Sequence, residues 1–166
     1  MGISRDNPDL FRAILAMDSY NRGYNAGVGN STVGLGGENT GIGVATVGKN
    51  SDILGIGTDI SAGFFAQSYT WAGKTVISYR GTDGLAPFST TPSDIPHWTI
   101  AFGNDYNDSH ARLAAQFYKT VKAAPGALPI ELTGHSLGGA LAGFVAGLYN
   151  EKATLFDPIG YMDADK

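Results

Sequence analysis

The 166-residue chain contains no cysteine and three histidines, and only 16% of it is charged. Without cysteine there is no disulfide, no thiolate nucleophile and no Cys-ligated metal. Three dispersed histidines argue against a zinc site, and no metal or other cofactor is expected. No apolar run approaches the roughly 20 residues of a membrane-spanning helix. The eleven Lys and Arg form no basic run and the formal net charge is −4, so a nucleic-acid surface is not expected. The opening MGISRDNPDLFRA is too polar for a signal peptide. Cytoplasmic residence does not follow, because a secretion signal could lie on a removed or C-terminal segment.

What is present is an ordinary globular composition, 43% hydrophobic, with 24 glycines. The length suits one domain, residues 1–166, around one core. Asn7 followed by Pro8 reads as an N-cap and first helical residue, opening a helix that ends before Gly23. Its apolar positions Leu10, Phe11, Ile14, Leu15 and Met17–Asp18 are expected on one buried face. Residues 23–63 are glycine-rich, with β-branched patches at Ile42–Val47 and Ile53–Ile60. They carry no nonapeptide repeat and no G-K-[ST], so short edge strands and turns are expected rather than a calcium repeat or phosphate loop. Phe64–Trp71 and Thr75–Tyr79 read as strands joined by Ala72-Gly73. A helix is expected from about Asn107 to Ala124, stopped by Pro125-Gly126, and a last strand at Ala153–Phe156. Strands alternating with helices in the second half predict an α/β fold with a mostly parallel sheet flanked by helices.

The most informative segment is PIELTGHSLGGALAGFVAGLYN, Pro129 to Asn150. It holds Gly134-His135-Ser136-Leu137-Gly138, a G-x-S-x-G pattern that would be weak by itself in so glycine-rich a chain. Its context strengthens it. A β-rich run, Pro129 to Thr133, leads in, and a small-residue helix, Leu137 to Asn150, leads out. A serine on such a strand-to-helix turn takes a strained backbone with φ above zero and exposes its Oγ. The flanking glycines are expected because a Cβ there would strike the neighbouring strand and helix. Ser136 is therefore the candidate nucleophile. Upstream, KTVISYRGT ends a strand at Gly81 and Thr82. In the α/β-hydrolase plan one oxyanion donor follows the third strand and the other is the N–H after the nucleophile, which puts the donors at Thr82 and Leu137.

A strand ending in Y-R-G-T, followed some fifty residues later by T-G-H-S-L-G-G-A-L, resembles the lipase class 3 family. The resemblance runs from about Leu10 to Gly160 and is specific at Tyr79–Thr82 and Thr133–Leu141. Where the family has V-H-x-G-F this chain has Ser109-His110-Ala111-Arg112-Leu113, keeping only the histidine. The segment LFRAILAMDSYNRGYNAGVG is also similar to bacterial secreted lipases of this group, which implies secretion. The resemblance implies an α/β-hydrolase fold, a lipid or other acyl ester as substrate, and Thr82 as an oxyanion donor.

Residues 84–105 connect strand to helix and carry many large apolar side chains, so a lid or acyl-binding wall is expected there, with Phe88, Trp98 and Phe102 as substrate contacts. The triad needs an acid and a base. Asp157, after the strand that follows the nucleophile helix, is the best acid; Asp163 and Asp165 lie too near the terminus. An acid one strand after the nucleophile is similar to the pancreatic-type lipases. No histidine follows Ser136. His135 is adjacent and diverges, His110 opens a helix, and His97 lies on the expected lid, a poor place for a pre-organised base. The expectation is an N-terminal part of an α/β-hydrolase domain whose catalytic histidine lies elsewhere. Its sheet would then be incomplete at the C-terminal edge, covered by the missing C-terminal segment or another chain. The function expected is a serine lipase or esterase acting through a Ser136 acyl-enzyme. The alternatives are a phospholipase and a non-catalytic hydrolase-like module that binds lipid or a partner.

Overall fold

Asn7 opens the first helix as the sequence predicts. Its Oδ1 accepts from the Leu10 N–H at 3.0 Å, and α1 runs Pro8–Asn21. The computed structural model describes residues 7–22, 42–55, 64–81 and 109–158. After α1 come β1 (Thr46–Asn50), a 3-10 turn (Ser51–Leu54), β2 (Ala66–Trp71) and β3 (Lys74–Tyr79). They are followed by α2 (Ser109–Lys122), β4 (Ile130–His135), α3 (Leu137–Tyr149) and β5 (Lys152–Phe156). The five strands form one sheet in chain order.

The result is α/β with a mixed sheet, which corrects the expectation of a mostly parallel one. The β1–β2 and β2–β3 pairings are antiparallel, while β3–β4 and β4–β5 are parallel. The cause is local. Ala72 and Gly73, both at positive φ (+51° and +75°), make a two-residue turn that sends β3 straight back along β2. Only where α2 or α3 intervenes can the next strand run parallel. Among the described residues, β5 pairs with β4 alone.

Alternation along the strands divides the interior into two layers. Ile77 and Tyr79 of β3 and Ile130 and Leu132 of β4 face α2 and α3, meeting Ala114, Phe117, Val121, Leu141 and Val145. On the other face Tyr69, Trp71 and Val76 meet Phe11 and Leu15 of α1. The Phe11 and Trp71 rings lie 4.9 Å apart.

The face α1 buries is the expected one at Phe11, Ile14, Leu15 and Asp18, and departs from it at Leu10 and Met17. Phe11, Leu15 and Ala16 are buried, but Leu10 and Met17 are 47% and 40% exposed. The helix is turned so that Asp18, Ser19 and Arg22 go inward. Asp18 Oδ2 accepts from the Tyr69 hydroxyl at 2.6 Å and from Arg22 Nε. Arg80, buried at the end of β3, donates from Nη1 to the Arg22 carbonyl at 3.1 Å and lies over the Phe65 ring. Burial and the Asp18 carboxylate push the Tyr69 hydroxyl well above its usual pKa.

Glu131 lies buried in the same layer. It accepts from Arg12 Nη2 at 2.7 Å, from Arg12 Nε at 3.2 Å and from Lys74. Burial alone would raise its pKa. The hydrogen bonds from Lys74 and Arg12 outweigh burial and hold the carboxyl below its ordinary 4.5. A depressed folded-state pKa gives stability that is complete above the unfolded value and lost as pH falls through the folded one. The difference in Tm between the wild type and Glu131→Gln should therefore shrink as pH drops below 4.5. A series of melts at decreasing pH reads this. A difference that stays constant through the acid range would contradict it.

Candidate active site at the end of β4

Ser136 stands between the last residue of β4 and the first of α3, with φ +57° and ψ −125°. A side chain in this conformation costs of order 1–3 kcal/mol and persists only where the surroundings impose it. They do so from several directions. The Ser136 N–H donates to the Phe156 carbonyl of β5 at 3.0 Å. Its carbonyl accepts from Ala140 N at 3.2 Å as α3 begins. The side chain makes no capping bond to the helix, although serine is a favoured N-cap. The residue is half-buried.

The two bracketing glycines have the reason the sequence predicted. A Cβ on Gly134 would fall on the Gly138 carbonyl group, and 2.8 Å from Gly139 N. A Cβ on Gly138 would fall on the Tyr79 carbonyl of β3. Helix and strand therefore touch through their backbones. Gly139 continues this contact, since a Cβ there would stand 3.2 Å from Pro158 Cβ. The chain leaving β5 thus crosses the start of α3.

This packing gathers three parallel strand ends. The end of β3 at Tyr79–Gly81, the elbow after β4, and Phe156–Pro158 after β5 are neighbours. The first N–H groups of α3, including that of Leu137, have no carbonyl within the helix to bond and lie at its positive end. An anion developing beside Ser136 would meet them. Thr82, the other expected donor, lies outside the described residues, as do residues 84–105 with Phe88, Trp98, Phe102 and His97. Asp163 and Asp165 also lie outside them.

Asp157 directly follows the residue whose carbonyl receives the Ser136 N–H. It is exposed and has φ +44°. The sheet thus brings Asp157 to the edge that carries Ser136. The other two histidines are engaged elsewhere. The His110 ring stands 6.1 Å from that of Phe64, at the start of α2. His135 points to the α1 face, with Nδ1 2.9 Å from the Tyr20 hydroxyl. Among the described residues no three His, Asp or Glu side chains gather to hold a metal, and no helix is long and apolar enough to cross a membrane.

The chain matches no family model and no curated protein.

The sequence pointed to no role for Tyr20 or Arg80, and placed Asp18 only on the buried face of the opening helix. Tyr20 and Asp18 belong to the opening helix, and Arg80 to the Y-R-G-T segment. Their partners lie 115, 58 and 51 residues away, at His135, Arg22 and Tyr69. No periodicity within one helix or strand reports contacts at that separation. The only available signal was a charged or polar residue in an otherwise apolar helix face, at Asp18 and Arg22.

Proposed function

We propose that this protein is a serine carboxylester hydrolase of α/β-hydrolase type, a lipase or esterase, with Ser136 as nucleophile. The observation that carries the reading is the strained, positive-φ Ser136 between β4 and α3, with a side chain that does not cap the helix it precedes. In the proposed reaction Ser136 Oγ bonds to the ester carbonyl carbon, and the carbonyl π pair moves onto oxygen. That oxyanion lies against the Leu137 N–H, with Thr82 as the second donor. Collapse expels the alcohol, which leaves with the proton taken from Ser136 through a base. Water then repeats the sequence to release the acid. Asp157 orients the base. The base comes from outside the described residues, either His97 or a histidine on a further segment or chain that covers the β5 edge. The same proposal gives residues 84–105, outside the described residues, the part of an acyl-binding wall, and includes a secreted site of action.

One observation favours a second reading. Of the described histidines, His135 faces Tyr20 and His110 faces Phe64. On that reading the elbow belongs to a module that binds lipid or a partner without turnover.

Hydrolysis of short-chain p-nitrophenyl esters separates the two. The hydrolase reading predicts turnover above the uncatalysed rate, lost in Ser136→Ala. His97→Ala would abolish it if His97 is the base and leave it unchanged if the base comes from another segment. Equal rates for the wild type and Ser136→Ala would contradict the reading.

A further inference from the structure

The peptide group joining His135 to Ser136 is held at both ends. Its N–H, that of Ser136, donates to the Phe156 carbonyl of β5 at 3.0 Å. Its carbonyl, that of His135, accepts from the Tyr20 hydroxyl at 3.3 Å. The same hydroxyl lies 2.9 Å from His135 Nδ1. It also lies against Gly81, where a Cβ would collide with it and stand 2.7 Å from the His135 carbonyl oxygen. One side chain from α1 therefore meets the residue before the nucleophile and the residue before Thr82.

We infer that Tyr20 is a positioning residue for the Ser136 elbow, clamping the His135–Ser136 peptide and seating the end of β3 against it. Its structural part stands on the geometry alone, and its catalytic consequence rests on the hydrolase reading. The strained φ of Ser136 needs support on both sides of the preceding peptide, because rotation of that plane is the easiest way to relieve it. Phe156 restrains one side and Tyr20 the other. Gly81 lacks a side chain, which leaves the space that the hydroxyl occupies.

The two contacts together point to one tautomer. A phenol has one proton to donate. Both contacts are hydrogen bonds only if His135 carries its proton on Nδ1 and donates it to Tyr20 Oη, while Tyr20 donates to the His135 carbonyl. The neutral ring then has its lone pair on Nε2. With Tyr20 donating to Nδ1 instead, the carbonyl would lose the Tyr20 hydrogen bond. The ring thus serves as the second anchor of the hydroxyl.

Tyr20→Phe keeps the ring and removes both bonds. Two measurements test the inference. Nitrogen-15 NMR of the histidine rings should show His135 as the Nδ1–H tautomer in the wild type, shifting towards Nε2–H in the variant. The rate of labelling by a fluorophosphonate should fall roughly 10- to 100-fold, as for a misplaced reacting group, while Tm changes by only a few degrees. An Nε2–H tautomer in the wild type would overturn the inference, and so would an unchanged tautomer in the variant. A labelling rate equal to that of the wild type would overturn the positioning role even if the tautomer shifts. If the wild type itself fails to label, the hydrolase reading falls, and the NMR result still decides the Tyr20–His135 clamp.

Discussion

Replacing Asp18 by alanine is expected to cost about 3–5 kcal/mol of stability, the usual result of removing one partner from a buried ion pair. Asp18 is wholly buried, and its carboxylate accepts from Tyr69 and Arg22. Arg22 is 6% exposed and Arg80, bonded to the Arg22 carbonyl, is 1% exposed. Removing the one carboxylate that Arg22 meets among the described residues leaves a buried guanidinium in a low-dielectric layer, with the Tyr69 hydroxyl also losing this acceptor. For a chain of this size the loss corresponds to a fall in Tm of roughly 6–20 °C. Asp18→Asn keeps the shape and an acceptor for Tyr69 but removes the charge, so an intermediate loss is expected. Thermal melts of the three proteins check this. A fall of less than about 1 kcal/mol for Asp18→Ala, the range of exposed pairs, would show that the layer tolerates an unpaired cation.

Gly138→Ala is expected to damage both fold and site. The new Cβ would occupy the place of the Tyr79 carbonyl and stand 2.8 Å from the Arg80 carbonyl carbon. These are backbone atoms in the middle of the sheet, so no side chain can swing aside. Either α3 or β3 must move, at a cost of about 3 kcal/mol, the upper end of ordinary overpacking. That movement carries Ser136 and Leu137 with it, so labelling of Ser136 by a fluorophosphonate should fall at least roughly 100-fold. Gly147→Ala is the control. It lies in the same helix, on its exposed side, with nothing within 4 Å of a new Cβ. There alanine should raise stability by about 0.5–1 kcal/mol, from better helix propensity and a less flexible unfolded chain. Equal effects at the two positions would refute the account of the helix–strand contact.

The parts of this molecule that were legible in the sequence are those set by neighbours in the chain. Asn7-Pro8 announced the start of α1, and Ala72-Gly73 the β2–β3 hairpin. The glycines around Ser136 announced a close approach of helix and strand, which Gly134 and Gly138 make. The same hairpin could have warned that the sheet would not be mostly parallel, since two residues cannot carry a chain back to the start of a parallel neighbour. The centre of α1's buried face, Phe11, Leu15 and Asp18, was legible, but its margins were not: Leu10 and Met17 were expected inside and are exposed. Nor was the reason Asp18 goes inward, which is that the sheet presents Tyr69 to it and Arg80 to the Arg22 carbonyl. At the site, the order β4–Ser136–α3 was readable locally, and so was the arrival of Asp157 at the same edge. The clamp of Tyr20 on His135 was not, because it depends on how α1 lies across the ends of β3 and β4.

The account turns on Ser136 being a nucleophile rather than a serine in an unusual turn. The most direct measurement is mass spectrometry of the purified protein after reaction with a fluorophosphonate, followed by peptide mapping. The account predicts one covalent phosphonyl adduct per chain, on the peptide holding Ser136, absent from Ser136→Ala and absent from acid-unfolded protein. An adduct on any other serine, or none on the folded wild type under conditions that label a known serine esterase, would contradict it.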